Sequence, residues 1–138
     1  MKDASVEEGL RGARVLVIDD SKTIRRTAES LLSKAGYQVE TAGDGFEALG
    51  KIMDFRPELV FVDIMMPRLD GYHTCALIKG NPSLRHTPVV MLSSKDGLFD
   101  RAKGRLVGAE LYLSKPFTGD DLLDAVKRHL RPEAGHSG

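Results

Sequence analysis

Tryptophan is missing from this chain of 138 residues, cysteine occurs once, and aromatic residues make up only 6% of it. Each shortage excludes something. The lone cysteine, Cys75 within "TCALI", cannot close an internal disulfide and has no partner at metal-ligand spacing, so a small buried core residue is expected there. No apolar stretch could span a bilayer, and the N-terminus "MKDASVEEGLRG" lacks the apolar centre of a signal peptide. Neither sign of charge predominates: Lys and Arg number 20, as do Asp and Glu. No global field therefore draws the chain to nucleic acid or to an anionic membrane. The expectation is a soluble, cytoplasmic protein with no membrane insertion, long enough for one domain with a real core.

What is present is an alternation of short aliphatic runs with helical patterns. In "RVLVIDDSKT", Val15 to Ile18 read as a strand buried on both faces, which runs directly onto the pair Asp19–Asp20. A helical repeat follows (Ile24, Ala28, Leu31, Leu32, Ala35), with Gly36 as its stop. "YQVETA" alternates as an edge strand does, and "GDGFEALGKIMDFRP" reads as a helix with Asp44 placed three residues before Glu47. "ELVFVD" is a second buried strand, ending on Asp63. Then come a helix around Tyr72 to Lys79, the strand "PVVMLS", a helix from about Gly97 to Val107 and the strand "LYLS". A final helix has Thr118 as its cap and Asp120 and Asp121 in its first turn.

Five β–α units imply an α/β fold with a parallel sheet, covered by five helices on both faces. With "YQVETA" at an edge and the first and third strands central, the doubly wound order 2-1-3-4-5 is selected. Ligands of such sheets sit outside the carboxyl ends of the strands, where the winding reverses. Asp19, Asp20 and Asp63 converge there. Adjacent carboxylates repel and resist desolvation unless a cation compensates, and three of them suit magnesium, a hard ion with oxygen ligands. Ser93 ends the fourth strand with a hydroxyl and Lys115 follows the fifth with a positive charge, which completes a phosphoryl-transfer site. Asp63, standing alone, is the candidate nucleophile, and Asp19 and Asp20 are candidate metal ligands.

Residues from about Ala13 to Leu130, through "VLVIDDS", "FVDIMMPRLDGY", "PVVMLSS" and "GAELYLSKPF", resemble the receiver domain of two-component response regulators. The resemblance implies a CheY-like fold and Asp63 as the site of a 4-aspartylphosphate. It further implies Mg2+ on Asp20, Asp63 and the Met65 carbonyl, with Asp19 helping through water. Ser93 and Lys115 become phosphate ligands, a cis bond joins Lys115 to Pro116, and Tyr112 is a switch aromatic. The implied partner is a histidine kinase of the chemotaxis type. "DDSKTIRRTAE", "MMPRLDGYHTCALIK" and "MLSSKDGLFDRAKGR" are more narrowly similar to regulators of chemotaxis-like systems that control type IV pili and twitching motility, which implies downstream pilus-control proteins.

The receiver is expected over residues 13–131, with a flexible tail over 1–12 and a polar tail over 132–138 that carries no output domain. Signalling then proceeds by non-covalent binding, with a monomer as the expected form. Phe99, Arg101, Lys103 and Tyr112 are expected on the output face, and Thr23, Ile24 and Arg26 on the face met by the kinase. The resemblance implies that Met65 and Lys95 flank the acceptor; neither offers a group to orient water, which predicts slow loss of the phosphoryl group. All four histidines read as surface residues. A phosphoacceptor rather than an enzyme of external substrates is expected. A haloacid-dehalogenase-like phosphatase would need an acid where Met65 stands. A flavodoxin-like carrier would need a first loop that accepts phosphate, and here that loop holds two acids. The remaining alternative is a degenerate receiver acting as a phosphorylation-independent scaffold.

Overall fold

A computed structural model describes residues 12–66, 69–93, 102–103, 105–115 and 117–130. The aliphatic run becomes β1 (Arg14–Ile18), followed by α1 (Lys22–Lys34), β2 (Gln38–Ala42), α2 (Gly45–Phe55), β3 (Leu59–Asp63), α3 (Gly71–Gly80), β4 (Val89–Ser93), β5 (Leu111–Ser114) and α4 (Gly119–His129). All pairings are parallel and the order is β2-β1-β3-β4-β5, as the apolar patterning implied.

Side chains alternate across the sheet and divide the core in two. Leu16 and Ile18 point into a layer closed by Ala48 and Ile52 of α2 and by Tyr72, Cys75 and Ile78 of α3. Val15 and Val17 point the other way, against Ala28 and Leu32 of α1 and Leu122, Ala125 and Val126 of α4. β3 and β4 are buried at every position, whereas β2 alternates between exposed and covered residues, as befits an edge. Cys75 is fully buried, its thiol directed at the Val107 carbonyl 3.4 Å away.

The helices start where the strands end, and side chains cap each start. Ser21, Asp44, Asp70 and Thr118 accept hydrogen bonds from Ile24, Glu47, His73 and Asp121 respectively. At the other end of α1, Gly36 takes φ 100°, a left-handed conformation that stops the helix.

Two expectations change. Four helices, not five, are delimited among the described residues. The helix expected over Gly97 to Val107 lies largely outside them, although Ala102, Lys103, Arg105 and Leu106 are helical. His129 is half-buried at the end of α4 rather than on the surface, because it shares that last turn with the buried Val126 and Leu130. His73 and His86 are exposed as expected, and His136 lies outside the described residues.

Candidate functional site

Asp19 and Asp20, adjacent in the chain, differ sharply in burial. Asp19 is fully buried and Asp20 is exposed. Neither caps the following helix. Ser21 does, while its own N–H donates to Asp19 Oδ1 at 2.9 Å. The Asp19 N–H donates to the Ala42 carbonyl at 3.0 Å, and Arg25 Nη1 donates to the Asp19 carbonyl at 2.7 Å. Asp63 ends β3 beside it with only 4% of its surface exposed. Carboxylate oxygens of Asp19, Asp20 and Asp63 all lie within 4.8 Å of one another.

Lys115 crosses to this cluster from the end of β5. Its ammonium stands 2.8 Å from Asp19 Oδ2 and 3.4 Å from Asp63 Oδ1. Burial alone would lower the pKa of this lysine, but Asp19 and then Asp63 outweigh it and raise the value above the ordinary one. Asp63 moves the same way for a different reason. Burial disfavours its charge, Asp19 adds repulsion, and Lys115 relieves only part of this, so its pKa is raised to about 6.

The backbone around the acceptor is tight. The Met65 N–H donates to Asp63 Oδ1 at 3.3 Å, while Met65 itself is 62% exposed. Gly71 donates to the Ile64 carbonyl at 3.0 Å, and a Cβ at Gly71 would run into the Asp63 carbonyl. A side chain there would push α3 away from the acceptor strand, which explains the glycine. Ser93, also buried, ends β4 opposite Ser114, and its carbonyl accepts from the Lys115 N–H. Ser93 and Lys115 are thereby tied together at the strand ends.

Tyr112 stands opposite Met91 and is half-buried against the core layer formed with α2 and α3. Lys103 lies over the Tyr72 ring, its ammonium 4.5 Å from the centroid. On the opposite side of the sheet an open groove of about 440 Å³ runs between α1 and α4 beside Lys115, lined by Ile24, Leu31, Phe117 and Leu122. Of the residues singled out from the sequence, Lys95, Phe99, Arg101 and Pro116 lie outside the described residues. Arg25, Ser21 and Gly71 were not singled out, and their signals are weak. An arginine on a helix and a glycine before one are common.

An acid cluster, a buried carboxylate at the end of a central strand, a hydroxyl and a lysine thus meet at one sheet edge. Residues 15–127 match the family described as response regulator receiver domain. The chain belongs to that family. This receiver is 64% identical over 125 residues to Protein PilG of Pseudomonas aeruginosa, a similarity covering 91% of this chain and 93% of the relative. It is 40% identical over 118 residues, 86% of this chain, to response regulator MprA of Mycobacterium tuberculosis, of whose length the receiver spans 50%. Its fold resembles the crystal structure of the Vibrio cholerae chemotaxis protein CheY4, with a TM-score of 0.84 and 36% identity over 86% of this chain and 99% of that one. Among the described residues, no helix is long and apolar enough to cross a membrane.

Proposed function

We propose that this receiver takes a phosphoryl group on Asp63 from a phosphohistidine of a chemotaxis-type histidine kinase and relays the signal by binding another protein. The observation that carries the reading is a carboxylate 4% exposed at the end of β3, facing a lysine ammonium at 3.4 Å. With a pKa of about 6, Asp63 is mostly carboxylate at neutral pH and available as a nucleophile. Its oxygen attacks phosphorus as the bond from phosphorus to the kinase histidine breaks, and the leaving imidazole takes up a proton. Lys115 balances charge on the equatorial oxygens, and the Ser93 hydroxyl donates to them.

The donor set fits a hard divalent cation. Asp19, Asp20 and Asp63 offer only oxygen, and buried Asp19 Oδ2 receives no aligned hydrogen bond, only the charge of Lys115. Mg2+ would be held by Asp19, Asp20, Asp63 and the Met65 carbonyl. When bound, it supplies neutralisation of the carboxylates and of the incoming phosphoryl charge.

The kinase meets the face of α1 that carries Thr23, Ile24 and Arg26, of which Ile24 also lines the groove beside Lys115. Output leaves by the face bearing Tyr112 and Lys103; Phe99 and Arg101, expected to share it, lie outside the described residues. Similarity over most of both chains to Protein PilG supports a role in chemotaxis-like control of type IV pili and twitching motility. The chain is then a phosphoacceptor rather than an enzyme acting on external substrates. Mass spectrometry after incubation with acetyl phosphate and Mg2+ tests the acceptor. Wild type should gain one phosphoryl mass and Asp63→Asn none. Equal labelling moves the acceptor elsewhere, and no labelling of either favours a phosphorylation-independent scaffold.

A further inference from the structure

We infer that Arg25 is a positioning residue for the cation site: it fixes the Asp19–Asp20 peptide and so presets the reach of the Asp20 carboxylate. The inference rests on the magnesium reading of the acid cluster. Asp19 is held at every polar atom. Its N–H is bound to Ala42, its Oδ1 to the Ser21 N–H, its Oδ2 faces Lys115, and its carbonyl is bound to Arg25 at 2.7 Å. That carbonyl belongs to the planar unit leading into Asp20, so the guanidinium sets the plane from which the Asp20 backbone departs. Asp20 is the exposed member of the cluster and has the most freedom to lose.

Arg25 is braced from the far side. A Cβ placed on Gly43 would come within 3.3 Å of Arg25 Nη1 and within 3.4 Å of Glu47 Oε1. Glu47 in turn accepts from the Gly43 N–H at 2.8 Å and pairs with Lys51 at 3.2 Å. The bond to Gly43 holds the Glu47 carboxyl below its ordinary pKa, with Lys51 assisting, so the brace is charged at neutral pH. The β2–α2 turn thus lies alongside the guanidinium where it reaches back to the acid loop.

Charge and position oppose each other here, which makes the inference decidable. A guanidinium near three acids repels an incoming cation, so removing it for charge reasons alone would tighten Mg2+ binding. Removing a positioning group would weaken it, by about tenfold for a partner that orients a ligand. Mg2+ is titrated calorimetrically into wild type, Arg25→Ala, Arg25→Gln, Gly43→Ala and Asp20→Ala, with the urea midpoint of each metal-free protein measured alongside. We expect about tenfold weaker binding in Arg25→Ala, recovery of at most part of the loss in Arg25→Gln, whose uncharged donor ends two bonds short of Nη1, and weaker binding in Gly43→Ala, where the guanidinium is crowded. Tighter binding in both Arg25 variants overturns positioning in favour of charge. A lowered urea midpoint with an unchanged Mg2+ Kd overturns it in favour of plain packing. Should Arg25→Ala fail to fold, a wild-type Kd in Arg25→Gln overturns it equally. If wild type itself binds no Mg2+, the cation reading fails and the inference with it. If wild type binds, Asp20→Ala does not and Arg25→Ala binds as wild type, the inference alone fails.

Discussion

Replacing Asp63 by asparagine should stabilise the metal-free protein, and by more as the pH rises. The folded carboxyl has a pKa of about 6 against an ordinary 3.8, because it is buried beside Asp19. Below pH 3.8 the group is protonated whether the chain is folded or not, and its pKa costs nothing. Between the two values the folded state holds a proton that the unfolded state has released, so stability falls as pH rises. Above pH 6 both states are ionised and the full penalty applies. A displacement of roughly two units corresponds to about 3 kcal/mol at pH 8 and to about half of that at pH 5. The attraction of Lys115 is already contained in that value, and an asparagine Oδ1 still accepts the Met65 N–H. The variant should therefore gain most of this energy at pH 8 and little near pH 4. Urea unfolding in EDTA at several pH values measures it, provided that both proteins give the same slope against denaturant. Adding Mg2+ should narrow the gap, since the cation neutralises the wild-type carboxylate. A difference that stays flat with pH, or favours wild type at pH 8, would refute the claim that Asp63 is held charged against its preference.

Millimolar Mg2+ should raise the urea midpoint of wild type in proportion to occupancy and leave that of Asp20→Ala unmoved; an unmoved wild type counts against the cation site. Lys115→Ala strands the fully buried Asp19 beside Asp63 and should cost about 3–5 kcal/mol at neutral pH, read by the same unfolding assay, while retaining some labelling by acetyl phosphate. Met65→Asn and Lys95→Glu should each change the decay of the phosphoryl label, followed by mass spectrometry; unchanged decay removes these positions from control of lifetime. Tyr112→Ala should preserve phosphotransfer from the kinase and weaken phosphorylation-dependent binding of the target; the reverse pattern would exchange the two faces.

Much of this was legible because the strands announce themselves. An apolar run that ends in acid, twice, gives two central strands and puts Asp19, Asp20 and Asp63 on one edge; the alternating "QVETA" gives the opposite boundary. Lys115 was legible for the same reason, as a cation at the fifth strand end. The helix caps split: Asp44 and Thr118 were readable, whereas Ser21 was hidden behind two aspartates read as metal ligands. Which aspartate would be buried could not be read, because it depends on Lys115 and Ala42, 96 and 23 positions away along the chain from Asp19, reaching the same point. Arg25 was invisible for a related reason. On helical periodicity it is one more polar residue of α1, and its partner is a backbone carbonyl that carries no side-chain signature.

The charge balance of the site explains how a change at Asp63 can reach the far end of the sheet. Unphosphorylated, Lys115 sits nearer Asp19, at 2.8 Å, than Asp63, at 3.4 Å, so the lysine is held by an acid that takes no part in the covalent step. A phosphoryl group on Asp63 adds negative charge on the more distant side and shifts that competition. The backbone of Lys115 is joined to β4, since its N–H donates to the carbonyl of Ser93, which is buried at the end of that strand. A displacement of the Lys115 backbone would therefore be felt at both strand ends. Tyr112 lies three residues before Lys115 on β5, half-buried, with Val107 and Ala109 packed against the same core layer. On the proposed reading, phosphorylation would shift the population of this ring between two packings, an effect typically worth about 1–3 kcal/mol.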